Sequence, residues 1–272
     1  MKVVKQSWSR FFWIVIACTG LLFSCQKSSQ QQGQQKTDQQ QPATAAKDTT
    51  QQQVPVQQAP QPGEARTSTR STSEQLVPLD IKLPKPMFVG TPTNVAVPNL
   101  EKPLGKPRPP FLAPGGTRNV ALKRPVTSSD EQPIIGELSL ITDGDKEAAE
   151  GSFVELGPKL QYVAIDLKGR HTMYAIMVWH YHKQPAVYHD VIVQVADDPD
   201  FISNVQTVFN NDIDNSSGRG VGKDMSYVET SEGKLIDAKG VQGRYVRLFS
   251  RGNTANELNH YIEVEVFGKA RK

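Results

Sequence analysis

The sequence predicts an all-β protein whose folded part is a single β-sandwich spanning residues 117–270, carried behind a long segment too polar and too proline-rich to fold by itself. Short alternating apolar runs fill that region, at 162–167, 175–179, 190–195, 244–248 and 262–267, with turn signals between them; this period of two is the mark of half-buried strands. No long run there has helical periodicity, and many short strands are most economically closed into a sandwich. With 272 residues, of which 37% are hydrophobic, the chain has material for one good core and not for two large ones.

The N-terminal residues 1–24 read as an export signal. A short basic leader with Lys2, Lys5 and Arg10 precedes an apolar run that starts at Phe11 and is too brief to span a bilayer comfortably. The run ends in Leu22-Phe23-Ser24-Cys25, which resembles the lipobox of bacterial lipoproteins. That resemblance implies cleavage before Cys25, lipidation of Cys25, and stable attachment to a membrane through more than one acyl chain. Gln26 stands where an inner-membrane retention signal carries Asp, so the implied address is the outer membrane of a bacterial cell envelope. The competing reading is an uncleaved anchor with an incidental cysteine. Only Cys18 and Cys25 exist, so the folded region has no disulfide, no thiolate metal site and no cysteine nucleophile. The chain carries 31 basic and 28 acidic residues, which balance once the leader is removed. That argues against a nucleic-acid-binding surface.

Residues 25–77 read as a disordered tether, since 15 of the 37 residues from 26 to 62 are Gln and only two are valines; too little apolar surface is on offer to offset the ordering entropy. Residues 78–116 regain Leu79, Ile81, Met87 and Phe88, but prolines at 78, 84, 86, 92, 98, 103, 107, 109, 110 and 114 exclude long helices and central strands. The expected form is an extended arm, with 81–83 or 87–89 pressed onto the following domain, or else a longer linker.

Five pieces of the C-terminal region, in order, resemble discoidin or coagulation-factor 5/8 type C domains, a group that includes many carbohydrate-binding modules of the galactose-binding-like, jelly-roll fold. They are the opening 119–129, the Asp143-Gly144-Asp145 turn, 163–167 ending in Asp166-Leu167, the strand 188–195, and the closing pair 244–248 and 262–268. The stretch from Lys146 to Phe153 departs from the family pattern, being longer and offering Ser and Phe where Thr and Trp are usual. The resemblance implies a structural Ca²⁺ held by Asp143, Asp145, Ser152 and Glu263, hard oxygen donors joining a loop to the last strand without cysteines. Read without it, Asp143 caps a turn and Glu263 lies on an edge strand.

Trp179-His180-Tyr181-His182 is the densest run of functional side chains. Alternation puts Val178, His180 and His182 on one face and Trp179 with Tyr181 on the other. His180, His182 and His189 would then meet across a hairpin, to contact sugar or to hold zinc, while Trp179 either stacks on a pyranose or packs in the core. The loop 210–223, with Asn211 and Asp212, fits neither a calcium loop nor a phosphate loop, because Lys223 and Asp224 occupy key positions. Arg251 and Asn253 precede the final strands and suit sugar hydroxyls or an acidic glycan. The leading expectation is a non-catalytic, lipid-anchored protein that binds a glycan or polysaccharide through Trp179, His180, His182, His189, Asn211, Asp212, Arg251 and Asn253. The alternative is an envelope protein that docks a protein partner. No nucleophile, paired-carboxylate or cofactor motif supports an enzyme.

Overall fold

The structure is a computed structural model that describes residues 74–90 and 94–271. Cys25 and the expected tether up to residue 73 lie outside the described residues; its end was expected to be disordered, but Leu76 and Val77 stand in a short strand paired with residues 113–114, and no described helix is long and apolar enough to cross a membrane. The strands in chain order are β1 (Leu76–Pro78), β2 (Leu112–Pro114), β3 (Arg118–Asn119), β4 (Val126–Ser128), β5 (Val154–Leu156), β6 (Gln161–Trp179), β7 (Ile192–Ala196), β8 (Gln206–Asn210), β9 (Lys234–Ser250), β10 (Asn259–Tyr261) and β11 (Glu263–Ala270), with one 3-10 turn at Leu138–Thr142. They form an antiparallel sheet in the order β3-β11-β6-β9-β7-β8, with β4 also paired to β6, and two ribbons, β5-β10 and β1-β2.

Two very long strands, β6 and β9, organise the sandwich. Their pairing shifts register between Asp166 and His171 and again between Met173 and Ala175; such bulges bend a sheet and reset which side chains face in. On β6 the core-facing residues are Val163, Ile165, Leu167 and Met173 before the second shift, then Ile176 and Val178 after it. The parity changes, and both halves of the strand still face one core. With Val193 and Val195 of β7, Val246 and Leu248 of β9, Val264 and Val266 of β11, and Val154 and Leu156 of β5 filling the same cluster, the result is a jelly-roll sandwich.

The reset also sends Ala175, Met177 and Trp179 outward, where with Phe267 they form a second apolar patch. The proline-rich arm covers it. Leu79, Ile81 and Phe111 pack onto the patch, and Leu79 N–H donates to Phe111 O at 2.9 Å. Arg108 donates to the carbonyls of Glu232 and Gly233 at 2.7 and 3.0 Å, and Lys234 meets Glu101 at 2.6 Å. Ile81 is the arm residue that meets the expectation of contact, whereas Leu83, Met87 and Val89 are exposed. The arm therefore belongs to the same compact unit as the sandwich.

Candidate functional site

The residues singled out from sequence part into three places. Trp179 lies in the arm-covered patch, fully buried, with Nε1–H donating to Ser231 O at 3.0 Å. Gly233 has a positive φ of 62° beneath the indole, and a Cβ there would stand 2.6 Å from the ring. Trp179 is thus a packing residue and not a sugar platform, because the bulge that turned it outward turned it under the arm.

His180 and His182 are also fully buried, at the end of the inner core. His180 Nδ1 lies 3.1 Å from Glu229 Oε2, and its ring stacks on Tyr188 at 4.2 Å. His182 Nε2–H donates to Lys146 O at 3.0 Å. Tyr188 OH in turn meets His260 Nδ1, and His260 Nε2 meets Glu155 Oε2, each at 3.0 Å. Burial lowers the His260 pKa, against a smaller upward pull from Glu155. His189 is exposed and separate, so the expected convergence of three histidines does not occur. Alternation placed His180 correctly beside Val178; what it could not supply is that this face leads into the core.

The remaining residues meet at one end of the sandwich. His189 N–H donates to Gly252 O at 3.1 Å and Arg251 N–H donates to His189 O at 2.9 Å. These two backbone bonds hold the exposed His189 and Arg251 at facing backbone positions. Arg251 Nη1–H donates to Ser216 O at 3.0 Å and lies 3.6 Å from Asp190, whose Oδ2 accepts from Ser216 Oγ at 2.8 Å. Asp212 is buried and accepts from the Ser216 and Ser217 amides and the Ser217 hydroxyl. Asn211 Oδ1 accepts from Val191 N–H at 2.7 Å, and Asn253 Oδ1 accepts from the amides of Ala255 and Asn256. Asn211, Asp212 and Asn253 therefore fix the loops, while His189 and Arg251 face solvent. Asp190 joins Asp212 and Asp214 with carboxylate oxygens within 4.8 Å of one another. Burial first, then these two neighbours, raise the Asp190 pKa, with the Ser216 hydroxyl bond pulling the other way.

The proposed calcium ligands lie at another corner. Glu263 is fully buried on β11; its Oε2 accepts from Gly144 N–H at 3.2 Å, and its Oε1 has no partner among the described residues. Burial pushes its pKa up to about 9, aided by Glu265 and Asp143. Asp145 is engaged with the Glu147 amide and the Ser152 hydroxyl, and Asp143 Oδ1 with the Asp145 amide. Lys146, unnoticed in the sequence, reaches Glu265 at 2.8 Å. An orphaned buried carboxylate oxygen beside a second carboxylate fits a hard cation in donor chemistry. Of the four expected ligands, Glu263 and Asp143 fit that role best, since Asp145 and Ser152 bind each other.

No protein-family model matches the chain, and no curated protein matches it. Solved structures do. It is similar to the CBM32 of AlyQ in complex with 4,5-unsaturated mannuronic acid, at 17% identity over 53% of this chain and 93% of that one, with a TM-score of 0.38. It is similar to a family 89 glycoside hydrolase from Clostridium perfringens at 21% identity, covering 56% of this chain but 15% of that one, with a TM-score of 0.41. A fucose binding module of Streptococcus pneumoniae, SpX-3, is 18% identical over 57% of this chain and 99% of that one, with a TM-score of 0.39.

Proposed function

We propose that this chain is a non-catalytic carbohydrate-binding protein of a bacterial cell envelope, attached to the outer membrane through a lipid on Cys25, with its sandwich held out on the Gln-rich tether. The observation that carries the reading is the end of the sandwich where His189 and Arg251 stand exposed on a scaffold already fixed by hydrogen bonds. Paired sugar hydroxyls need donors and acceptors at set positions, and a site ordered before binding loses less entropy on capture. The non-catalytic part of the reading is supported by the burial of His180 and His182, which keeps these bases from a substrate.

On the same reading a calcium ion held by Glu263 and Asp143 ties the 143–152 loop to β11. When bound, it supplies charge neutralisation for Glu263 and takes no part in ligand chemistry.

The test is a glycan and polysaccharide array probed with the full chain, in calcium and again in chelator. The reading expects at least one glycan to bind and Arg251→Ala to abolish that binding while the melting temperature is retained. Binding that survives Arg251→Ala would move the site elsewhere, and silence from a folded chain would overturn the carbohydrate reading. The exposed Leu83, Met87 and Val89 along one stretch of the arm favour a protein partner as the second reading, and cross-linking in intact envelopes would then be the experiment.

A further inference from the structure

The outward face of β9 carries a second group of side chains beside the loop that holds Arg251. Val246 and Leu248 point into the core, so Tyr245, Arg247 and Phe249 lie on the opposite face, where Phe249 is buried and Tyr245 and Arg247 are part-exposed. Across from Arg247 stand Ala164 on β6 and Gln194 on β7. Ala164 is buried against Phe201 on one side, and on the other Arg247 Nη2–H donates to Gln194 Oε1 at 3.1 Å. The Arg247 guanidinium sits among rings, 3.9 Å from the centre of Phe201, 4.9 Å from Phe249 and 5.4 Å from Tyr162. Arg219, exposed on the 210–223 loop, lies over the other contact of this group, 4.9 Å from the centre of Phe249.

These two arginines differ from their neighbours. Arg170, Arg244 and Arg251 each have an aspartate, at 3.0, 2.8 and 3.6 Å. Among the described residues neither Arg219 nor Arg247 has a carboxylate within salt-bridge reach, and Arg247 Nε is buried with no hydrogen-bond partner. Asp198 acts on Arg247 from farther off, but its oxygens are taken by the amides of Asp200, Ile202 and Ser203. Burial and the nearby Arg219 both disfavour charge on Arg247. Two like charges held against the same ring, one with an unused buried donor, are an unfavourable arrangement until an anion joins them. Guanidinium forks match a carboxylate or sulfate, and stacked arginines are already ordered for that contact. Tyr162, half-buried at the edge of the group, offers a flat surface to the apolar side of a sugar ring.

We propose that Arg219 and Arg247, with Tyr162, form a site for an acidic saccharide, the guanidiniums taking a sugar-borne carboxylate or sulfate and the tyrosine taking the ring. A hexuronate uses both halves of the pattern, whereas an inorganic anion uses only the first. This inference rests on the carbohydrate reading and names the class of glycan.

The full chain would be titrated calorimetrically with hexagalacturonate, a heparin hexasaccharide and neutral cellohexaose, at low and high salt. The expected result is binding of an acidic hexamer at least tenfold tighter than the neutral one, with carboxylate and sulfate preference read from the first two. Arg219→Ala, an exposed position that leaves the core untouched, should weaken the acidic ligand about tenfold, ~1.4 kcal/mol. Arg247→Lys keeps the charge, removes the fork, and should weaken it too. Equal affinity for acidic and neutral hexamers, or an Arg219→Ala chain that binds acidic hexamer unchanged, would overturn the site while leaving the carbohydrate reading intact. Competition by inorganic sulfate at the same concentration as the hexamer would also overturn it, as generic anion binding. No saccharide bound by the folded chain would overturn both.

Discussion

The outward faces of β6 on either side of its bulges are built from the same strand and are covered to different extents. Beyond the second shift, Ala175, Met177 and Trp179 make an apolar surface, and the arm residues Leu79, Ile81 and Phe111 shut it from water. Before the first shift, Tyr162, Ala164 and Asp166 face out beside Arg247, Gln194 and Tyr245, and a smaller cap, Phe201 with Ala196, buries Ala164 while Tyr162, Arg247 and Tyr245 stay part-exposed. The contrast teaches that the arm is placed by the composition of one half-face. Met and Trp side chains left in water each forgo about 1.5–3 kcal/mol of burial, enough to hold an arm rich in prolines, whose unfolded form has little backbone freedom to lose. The other half buries Phe201 and Phe249 against the Arg247 guanidinium and keeps Tyr162, Tyr245 and Arg247 part-exposed, so its amphipathic side chains can face solvent.

The largest effect expected follows from uncovering the first half. Ile81→Asp with Phe111→Asp would put charges on the patch around Met177 and Trp179 and should cost about 5 kcal/mol or more. Chemical denaturation would measure it, and a loss below ~1 kcal/mol would mean the arm is dispensable. Next in size is a direct comparison of the halves. Met177→Ala, fully buried, should destabilise by about 2–5 kcal/mol, whereas Tyr162→Ala should cost about 1 kcal/mol; equal losses would erase the distinction between the faces.

Calcium would act on the covered side, through Glu263. At a hundredfold excess over its dissociation constant an ion stabilises by ~2.7 kcal/mol, a rise of about 5–10 °C in melting temperature for a domain of this size. That rise should vanish in Glu263→Gln, and an identical melt in calcium and chelator would remove the ion from the account. The smallest effect is on pH. Because burial depresses the His260 pKa in the folded state, the unfolded chain takes up the proton first. The stability from keeping this ring neutral is therefore complete above the unfolded value of about 6.5 and is lost as pH falls below it. Melting temperature should drop between about pH 7 and about pH 5, and less so in His260→Gln; parallel curves for the two chains would exclude this group as the cause.

Much of the strand pattern was legible because a half-buried strand writes its period into the sequence. The segments 162–167, 190–195, 244–248 and 262–267 all lie in or across β6, β7, β9 and β11. The length of β6 was not legible: the polar interruption Lys168-Gly169-Arg170 looks like a loop, yet the strand runs through it with a register shift. The candidate site was legible only at its exposed members. His189 and Arg251 lie at the sandwich end, but Trp179, His180 and His182 are interior, and Glu229, the partner of His180, sits 49 residues away in sequence. Arg219 and Arg247 passed unnoticed because nothing in either local sequence says that the two meet over Phe249.

By itself the sequence determined the all-β class and which residue types could meet a polar ligand, since composition and a period of two are local properties of the chain. Only the tertiary structure decided which face of each strand became core, that the arm closes over Trp179 and Met177, and which charged groups are paired. Bulges change the parity of a strand, and partners distant in sequence are chosen by packing of the whole sheet, so neither can be read from a window of residues.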